Sequence, residues 1–206
     1  LGKTYLGIFD TQQLKAHKIL YIVHVGQVLK KARNSFEKIL PERAEDMGFF
    51  QGKTKDTEKS ILFATIQTLS KDNNLNSFPS DYFDYIILDE THHLAAPTYK
   101  KVFEYFRPQF MLGLTATPDR LDQKDILPFY DNNLVYQMDQ VEAIRKGYLS
   151  GINYFAFKDN VDYSNIKFNG FKYDVNDLNK LLMIQKRDDA ILQKYLEMAK
   201  GRKTIG

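Results

Sequence analysis

The chain has no cysteine. Disulfides and thiolate metal sites are thereby excluded, and the composition suits a reducing compartment, with the cytoplasm as the expected location. No apolar run approaches the roughly 20 residues of a membrane span, so no membrane partner is expected. No secretory leader is visible, and Leu1-Gly2-Lys3-Thr4 has the look of the middle of a motif. Internal repeats and low-complexity tracts are absent too. A strong charge imbalance is also lacking: the net charge of +3 and pI near 8.8 are weak evidence for a nucleic-acid partner. The imbalance is local, since ten Lys/Arg face six Asp/Glu between Lys15 and Lys59. With 206 residues, 43% of them apolar, the chain can build one globular core and part of another.

What is present centres on Tyr85 to His92, Tyr-Ile-Ile-Leu-Asp-Glu-Thr-His. A short unbroken apolar run predicts a strand buried on both faces, of the parallel-sheet kind. Asp89 and Glu90 would then open into the crevice where open α/β sheets bind ligands. Adjacent acids there need a cationic neighbour, and magnesium carrying phosphates would serve. A strand ending in a solvated acidic turn is the plainer alternative.

Gly2-Lys3-Thr4 heads a segment, Tyr5 to Leu14, whose apolar spacing predicts a helix. Gly-Lys-Thr opening a helix is the second half of a phosphate-binding loop. The helix end would offer free N–H groups to phosphate oxygens. Lys3 would neutralise the β- and γ-phosphates, and the Thr4 hydroxyl would ligate magnesium. Alone, such a tripeptide is a weak signal, and most are surface turns.

The remaining elements follow in order. His17–Val25 predicts a buried strand and Gln27–Leu40 a helix stopped by Pro41. Lys30, Lys31 and Arg33 on that helix suit either a nucleic-acid backbone or a solvated face. His24 sits at a strand end, as a ligand-facing or a structural histidine. Phe49-Phe50 suggests a short strand and Ser60–Thr65 a third main strand, followed by a short helix over 66–69. Thr65, Gln67 and Thr68 could bind phosphates, or Thr65 could simply cap the helix. Residues 71–80 suggest a loop. A helix is expected from near Pro97 to Phe106 and a strand over Phe110–Leu114. Hydroxyls of Thr115 and Thr117 could bond the His92 ring. Then come a short helix over 121–129, an edge strand over 134–138, a helix over 139–146 ended by Gly147, and a strand over 152–157. A polar linker over 158–173 precedes a last helix, capped by Asp174 or Asn176, running to about Ala199. Residues 203–206 suggest the beginning of another strand.

Gly2-Lys3-Thr4, Asp89-Glu90-Thr91-His92 and Thr115-Ala116-Thr117-Pro118, each at a helix start or a strand end, resemble the first motor domain of superfamily 2 DExH-type helicases and translocases. The wording from Thr115 to Arg120 and the stretch Ala143–Leu149 are most similar to the type III restriction-enzyme motor subunit and DNA-repair helicase group. The resemblance implies a three-layer RecA-like (P-loop NTPase) α/β domain with a largely parallel sheet over residues 1–150. It further implies a linker over 151–175 and the beginning of a second RecA-like domain, itself a partner, over 176–206. ATP and Mg2+ are the implied cofactors. Lys3, Asp89 and Glu90 would be catalytic. Gly2, Lys3, Thr4 and His92 would hold nucleotide, and Thr4 and Asp89 the metal. His24, Lys30, Arg33, Thr65, Gln67 and Thr68 would face nucleic acid, DNA by expectation. Thr115 and Thr117 would couple the two sites. Thr91 stands where the better known wording has alanine, and His93 is expected to be structural. The implied activity is ATP-driven movement on DNA, near-silent in this stretch alone. An RNA helicase and a non-hydrolysing nucleic-acid-binding module are the competing readings.

Overall fold

The computed structural model describes residues 2–116, 126–155, 164, 166–168, 170–182 and 185–202. The chain divides into two units, Leu1–Gln137 and Met138–Gly206. In the first, the helix α1 (Lys3–Gln13) leads to strand β1 (Ile19–Val23) and helix α2 (Gly26–Ile39). Pro41 stops α2 and opens a short 3-10 helix, Pro41–Asp46. A hairpin of β2 (Met47–Gln51) and β3 (Thr54–Lys55) precedes β4 (Ile61–Thr65) and the one-turn helices α3 (Ile66–Leu69) and α4 (Asp72–Leu75). β5 (Tyr85–Asp89), α5 (Pro97–Tyr105) and β6 (Phe110–Leu114) follow.

The six strands form one sheet in the order β3-β2-β4-β1-β5-β6. Every pairing is parallel except the β2–β3 hairpin. All five residues of β1, of β4 and of β5 are buried, because helices cover both faces. Alternate side chains feed two cores. On one face Leu20, Ile22, Leu62, Ala64, Ile86 and Leu88 meet Tyr99, Val102 and Phe106 of the α5 segment. On the other, Tyr21, Phe63, Tyr85 and Ile87 meet Ile8 of α1 and Leu29, Ala32 and Phe36 of α2. This is the expected three-layer α/β arrangement with a largely parallel sheet. Val23 pairs with Thr65, Ile22 with Leu88 and Asp89 with Leu114, so these strands finish level at one rim.

The second unit contributes α6 (Gln140–Arg145), α7 (Val175–Leu182) and α8 (Gln185–Met198). Asp139 caps α6 through its side chain, and Gly147 follows it at φ 74°. Asp174 caps α7 by accepting from the Asn176 and Asp177 N–H groups. Among the described residues no helix is long and apolar enough to cross a membrane.

Several local expectations need correction. Residues 134–138 are irregular rather than a strand, with Leu134, Val135 and Tyr136 exposed, because β propensity yields to tertiary context. Residues 152–155 are likewise irregular and exposed, and the end of that expected strand, 156–157, lies outside the described residues. The loop over 71–80 contains α4. The expected last helix is described over Val175–Leu182 and Gln185–Met198, and 183–184 between them lie outside the described residues. Of the helix expected over 121–129, residues 121–125 lie outside the described set, and Leu127–Tyr130 is one 3-10 turn. Much of the expected linker and the strand over 203–206 are also outside it.

Phe63 on β4 is fully buried, with ring centroids of Phe36, Tyr21 and Phe49 at 5.2, 6.0 and 6.1 Å. Phe63→Ala is expected to cost about 3–5 kcal/mol, read as a lowered urea midpoint at unchanged slope. A loss below about 1 kcal/mol would mean this core repacks freely.

Candidate active site

The rim where the parallel strands finish collects the polar residues that the sequence singles out. Gly2 precedes α1 in the left-handed region, at φ 75°, and among the described residues no side chain caps this helix start. The first N–H groups of an eleven-residue helix are thus left to an outside acceptor, and the dipole favours an anion. Lys3 Nζ lies 3.3 Å from Glu90 Oε1 and 4.0 Å from Asp89 Oδ1. The ammonium is the cationic neighbour that paired acids at a strand end need.

Asp89 is buried and accepts one hydrogen bond at each oxygen. Its Oδ2 accepts from the Tyr21 hydroxyl at 2.9 Å and its Oδ1 from the Glu90 N–H at 3.0 Å. Tyr21 Oη also lies 3.4 Å from Thr4 Oγ1, so one phenol joins the β5 carboxylate to the α1 hydroxyl. Burial first, and then the Asp89 charge, push the Tyr21 hydroxyl well above the usual tyrosine range. Tyr99 is held up for the same reasons in the same order, with Glu90 adding to Asp89.

Glu90 itself adopts φ 53°, ψ 46°. A bulky residue in the left-handed region carries strain of order 1–3 kcal/mol, a feature that concentrates at functional positions. The twist releases the chain from β5 into the short turn Thr91–His93. There His92 Nδ1 lies 3.2 Å from Glu90 Oε2 and 3.1 Å from Thr115 Oγ1 beyond β6. Protonated, that nitrogen donates to the carboxylate; unprotonated, it accepts from the hydroxyl. Thr117 lies outside the described residues. Thr91 Oγ1 meets Tyr130 Oη at 2.6 Å, and burial pushes that phenol up to about 12. Only glycine fits at 113, because a Cβ there would sit 2.5 Å from Tyr130 Oη.

The remaining candidates line the adjoining stretch of rim. His24, after β1, is exposed beside Gln67, with Nδ1 and Nε2 of the two side chains 3.1 Å apart. Thr65 and Thr68 are buried, and their hydroxyls are used internally: Thr65 donates to Thr68 at 2.9 Å, and Thr68 accepts from the Gly52 N–H at 3.0 Å. Lys30 is exposed on the first half of α2. Arg33 pairs with Glu37 at 3.5 Å and lies over the Phe49 ring.

The rim therefore holds Lys3, Thr4, Asp89, Glu90, His92 and Thr115 in one group and His24 and Gln67 in the next. Sequence reasoning passed over Tyr21, Tyr99 and Tyr130. A signal existed for Tyr21: a phenol inside a wholly buried strand must find a partner. Among the described residues no three or more His, Asp or Glu side chains could hold a metal ion unaided. Thr4 and Asp89, joined through Tyr21, suit a hard cation that brings phosphate and water as most of its ligands.

Residues 1–120 match the family described as "Type III restriction enzyme, res subunit". The chain is similar to "Putative ATP-dependent helicase IRC3" of Saccharomyces cerevisiae, 25% identical over 187 residues, covering 87% of this chain and 26% of that protein. It is also similar to the helicase/translocase subunit XPB/SSL2 of the general transcription and DNA repair factor IIH of the same yeast, 25% identical over 163 residues, 73% of this chain and 19% of the relative. The chain thus spans about a quarter or less of the length of these curated relatives. The crystal structure of the Pyrococcus furiosus Hef helicase domain matches with a TM-score of 0.59 at 19% identity, over 75% of this chain and 36% of that one, a likeness of fold.

Four tyrosines, 21, 85, 99 and 130, hold their protons above the ordinary value of 10.0. The unfolded chain releases them near 10, so their contribution to stability is whole below that pH and drains away as pH rises through the folded values. Denaturation midpoints should stay level to about pH 10 and fall beyond it, less steeply for Tyr21→Phe. An identical alkaline slope in the variant would remove Tyr21 from this account.

Proposed function

Since the chain belongs to the type III restriction enzyme res subunit family, we propose that it is the first motor domain of an ATP-dependent DNA helicase or translocase. The observation that carries this reading is the Lys3 ammonium at the open start of α1, within 4.0 Å of both acids that end β5. Lys3 exchanges its carboxylate contacts for the β- and γ-phosphates of ATP, and the N–H groups after Gly2 bind further phosphate oxygens. Thr4 and Asp89 would hold a magnesium ion, whose charge would offset that of the phosphates. Tyr21 keeps the Asp89 carboxylate turned toward Thr4. Glu90, freed from Lys3, orients the attacking water and takes its proton. His92 stays beside the nucleotide and reports on Glu90: its Nδ1 serves either that carboxylate or Thr115, so a change at the acid is passed to β6. Thr117 belongs to the same coupling segment.

His24, Lys30, Arg33 and Gln67 form the nucleic-acid face, with Thr65 and Thr68 holding its backbone in shape from within. DNA is the favoured substrate because the XPB/SSL2 relative is, by its name, a transcription and DNA repair subunit. The motor domain occupies residues 1–150, the linker 151–175 and the beginning of the second RecA-like domain 176–206. That second domain is the partner that completes the site, and the cytoplasm is the compartment we assign.

In the full-length protein, Glu90→Gln should abolish ATP hydrolysis with or without DNA or RNA while sparing ATP binding. Unchanged turnover would favour a non-hydrolysing binding module, and stimulation of the wild type by RNA alone would favour an RNA helicase. Nucleic-acid affinity should fall steeply with salt, and Lys30→Ala should flatten the slope of log affinity against log salt by about 0.7–0.9. An unaltered slope takes Lys30 off the contact surface.

A further inference from the structure

The turn after the acid pair carries a second histidine that the reading above leaves idle. His93 is half-buried at the rim, next to Leu94, which is fully buried. A residue needed only to fill the core would resemble Leu94. His93 instead touches rings on three sides. Its centroid lies 4.2 Å from that of His92, 5.2 Å from that of His24 and 6.0 Å from that of Tyr99. The His24 ring also lies nearly parallel to Tyr99, at 14° and 6.4 Å. Tyr99 is buried on α5 and forms a fixed floor. The His93 backbone is held as well: its N–H donates to the Glu90 carbonyl at 3.0 Å, and its carbonyl accepts from the Ala96 N–H at 2.9 Å.

At one end of this line of rings, His92 Nδ1 meets Glu90 at 3.2 Å. At the other end His24 meets Gln67 at 3.1 Å. Three imidazoles therefore span the rim from the acid that ends β5 to the amide that follows β4. At the first of these ends His92 Nδ1 is shared, lying 3.2 Å from Glu90 Oε2 and 3.1 Å from Thr115 Oγ1, so a loss of the acid's contact leaves the ring to the hydroxyl. Rings this close cannot tilt independently. A His92 ring drawn toward one of its two partners would therefore press on His93, and His93 on His24 beside Gln67.

We infer that His93 is a positioning residue that couples the nucleotide-facing acid to the nucleic-acid face through the stack His92–His93–His24 on Tyr99. The inference rests on the motor reading of this rim. It assigns a path of packed rings with a nitrogen shared between two partners at one end, and the test below decides whether that path carries coupling.

The test uses the full-length protein, a fluorescent single-stranded DNA and a non-hydrolysable ATP analogue. The quantity read is the factor by which saturating analogue changes DNA affinity. In His93→Ala that factor should fall about tenfold toward unity, a size typical of two-site coupling, while each ligand's affinity measured alone stays within about twofold. His93→Phe keeps the ring and should keep the factor. The inference is overturned if His93→Ala leaves the factor intact, if it weakens both ligands alone to the same degree, or if His93→Phe behaves like His93→Ala. A wild-type protein that binds both ligands with no coupling at all overturns the motor reading, and this inference with it.

Discussion

Two carboxylates placed side by side at a strand end repel each other, and the rest of this molecule is arranged around relieving that repulsion. Lys3 approaches both acids from α1, which is possible only because α1 starts level with the end of β5. Asp89 is further quieted by a phenol and a backbone N–H, while Glu90 turns away through a left-handed backbone. The two acids thereby acquire different surroundings. One is buried and fixed, and the other is half-exposed and shared among a lysine, a histidine and, through that histidine, a threonine. Adjacent groups of one kind with opposite degrees of freedom are what separates a metal-holding role from a proton-taking one.

Much of this was legible before any coordinates. β1, β4 and β5 are continuous apolar runs because helices cover both sides of them, and such runs announce themselves. The helix starts at Lys3 and Pro97 and the caps at Asp139 and Asp174 are local chemistry, readable from neighbouring residues. The failures share one cause. The segment 134–138 has the right residues for a strand yet is irregular and exposed, since strand propensity is decided by tertiary context. Thr65 and Thr68 look available in sequence, yet they bond each other because a helical turn sets residues three apart on the same side. Tyr21 reads as core, and its hydroxyl acquires meaning only from the β1–β5 register, which carries it to Asp89.

The three tyrosines absent from the sequence reading have a common use. Each offers a rigid apolar body to the packing, and Tyr21 and Tyr130 add a polar tip that reaches the rim. Tyr21 reaches Asp89 and Tyr130 reaches Thr91, while Tyr99 supports the histidine rings from below. The polar rim is thus built out of the hydrophobic core. Its geometry is as firm as the packing beneath it, and a loop alone would not provide that.

The opposite rim is fastened in another way. Ahead of β1, Asp84 accepts from the His17 and Lys18 N–H groups at 2.8 and 2.9 Å. Arg43 donates to the Ala16 and His17 carbonyls at 2.9 and 2.6 Å. An ionised group of each sign grips the three residues that lead into the central strand, and such bonds are the stronger sort. β1 is consequently anchored like the heel of a tuning fork, with its free tip at Val23. A push delivered at that tip is carried along the sheet instead of being lost as sliding at the base.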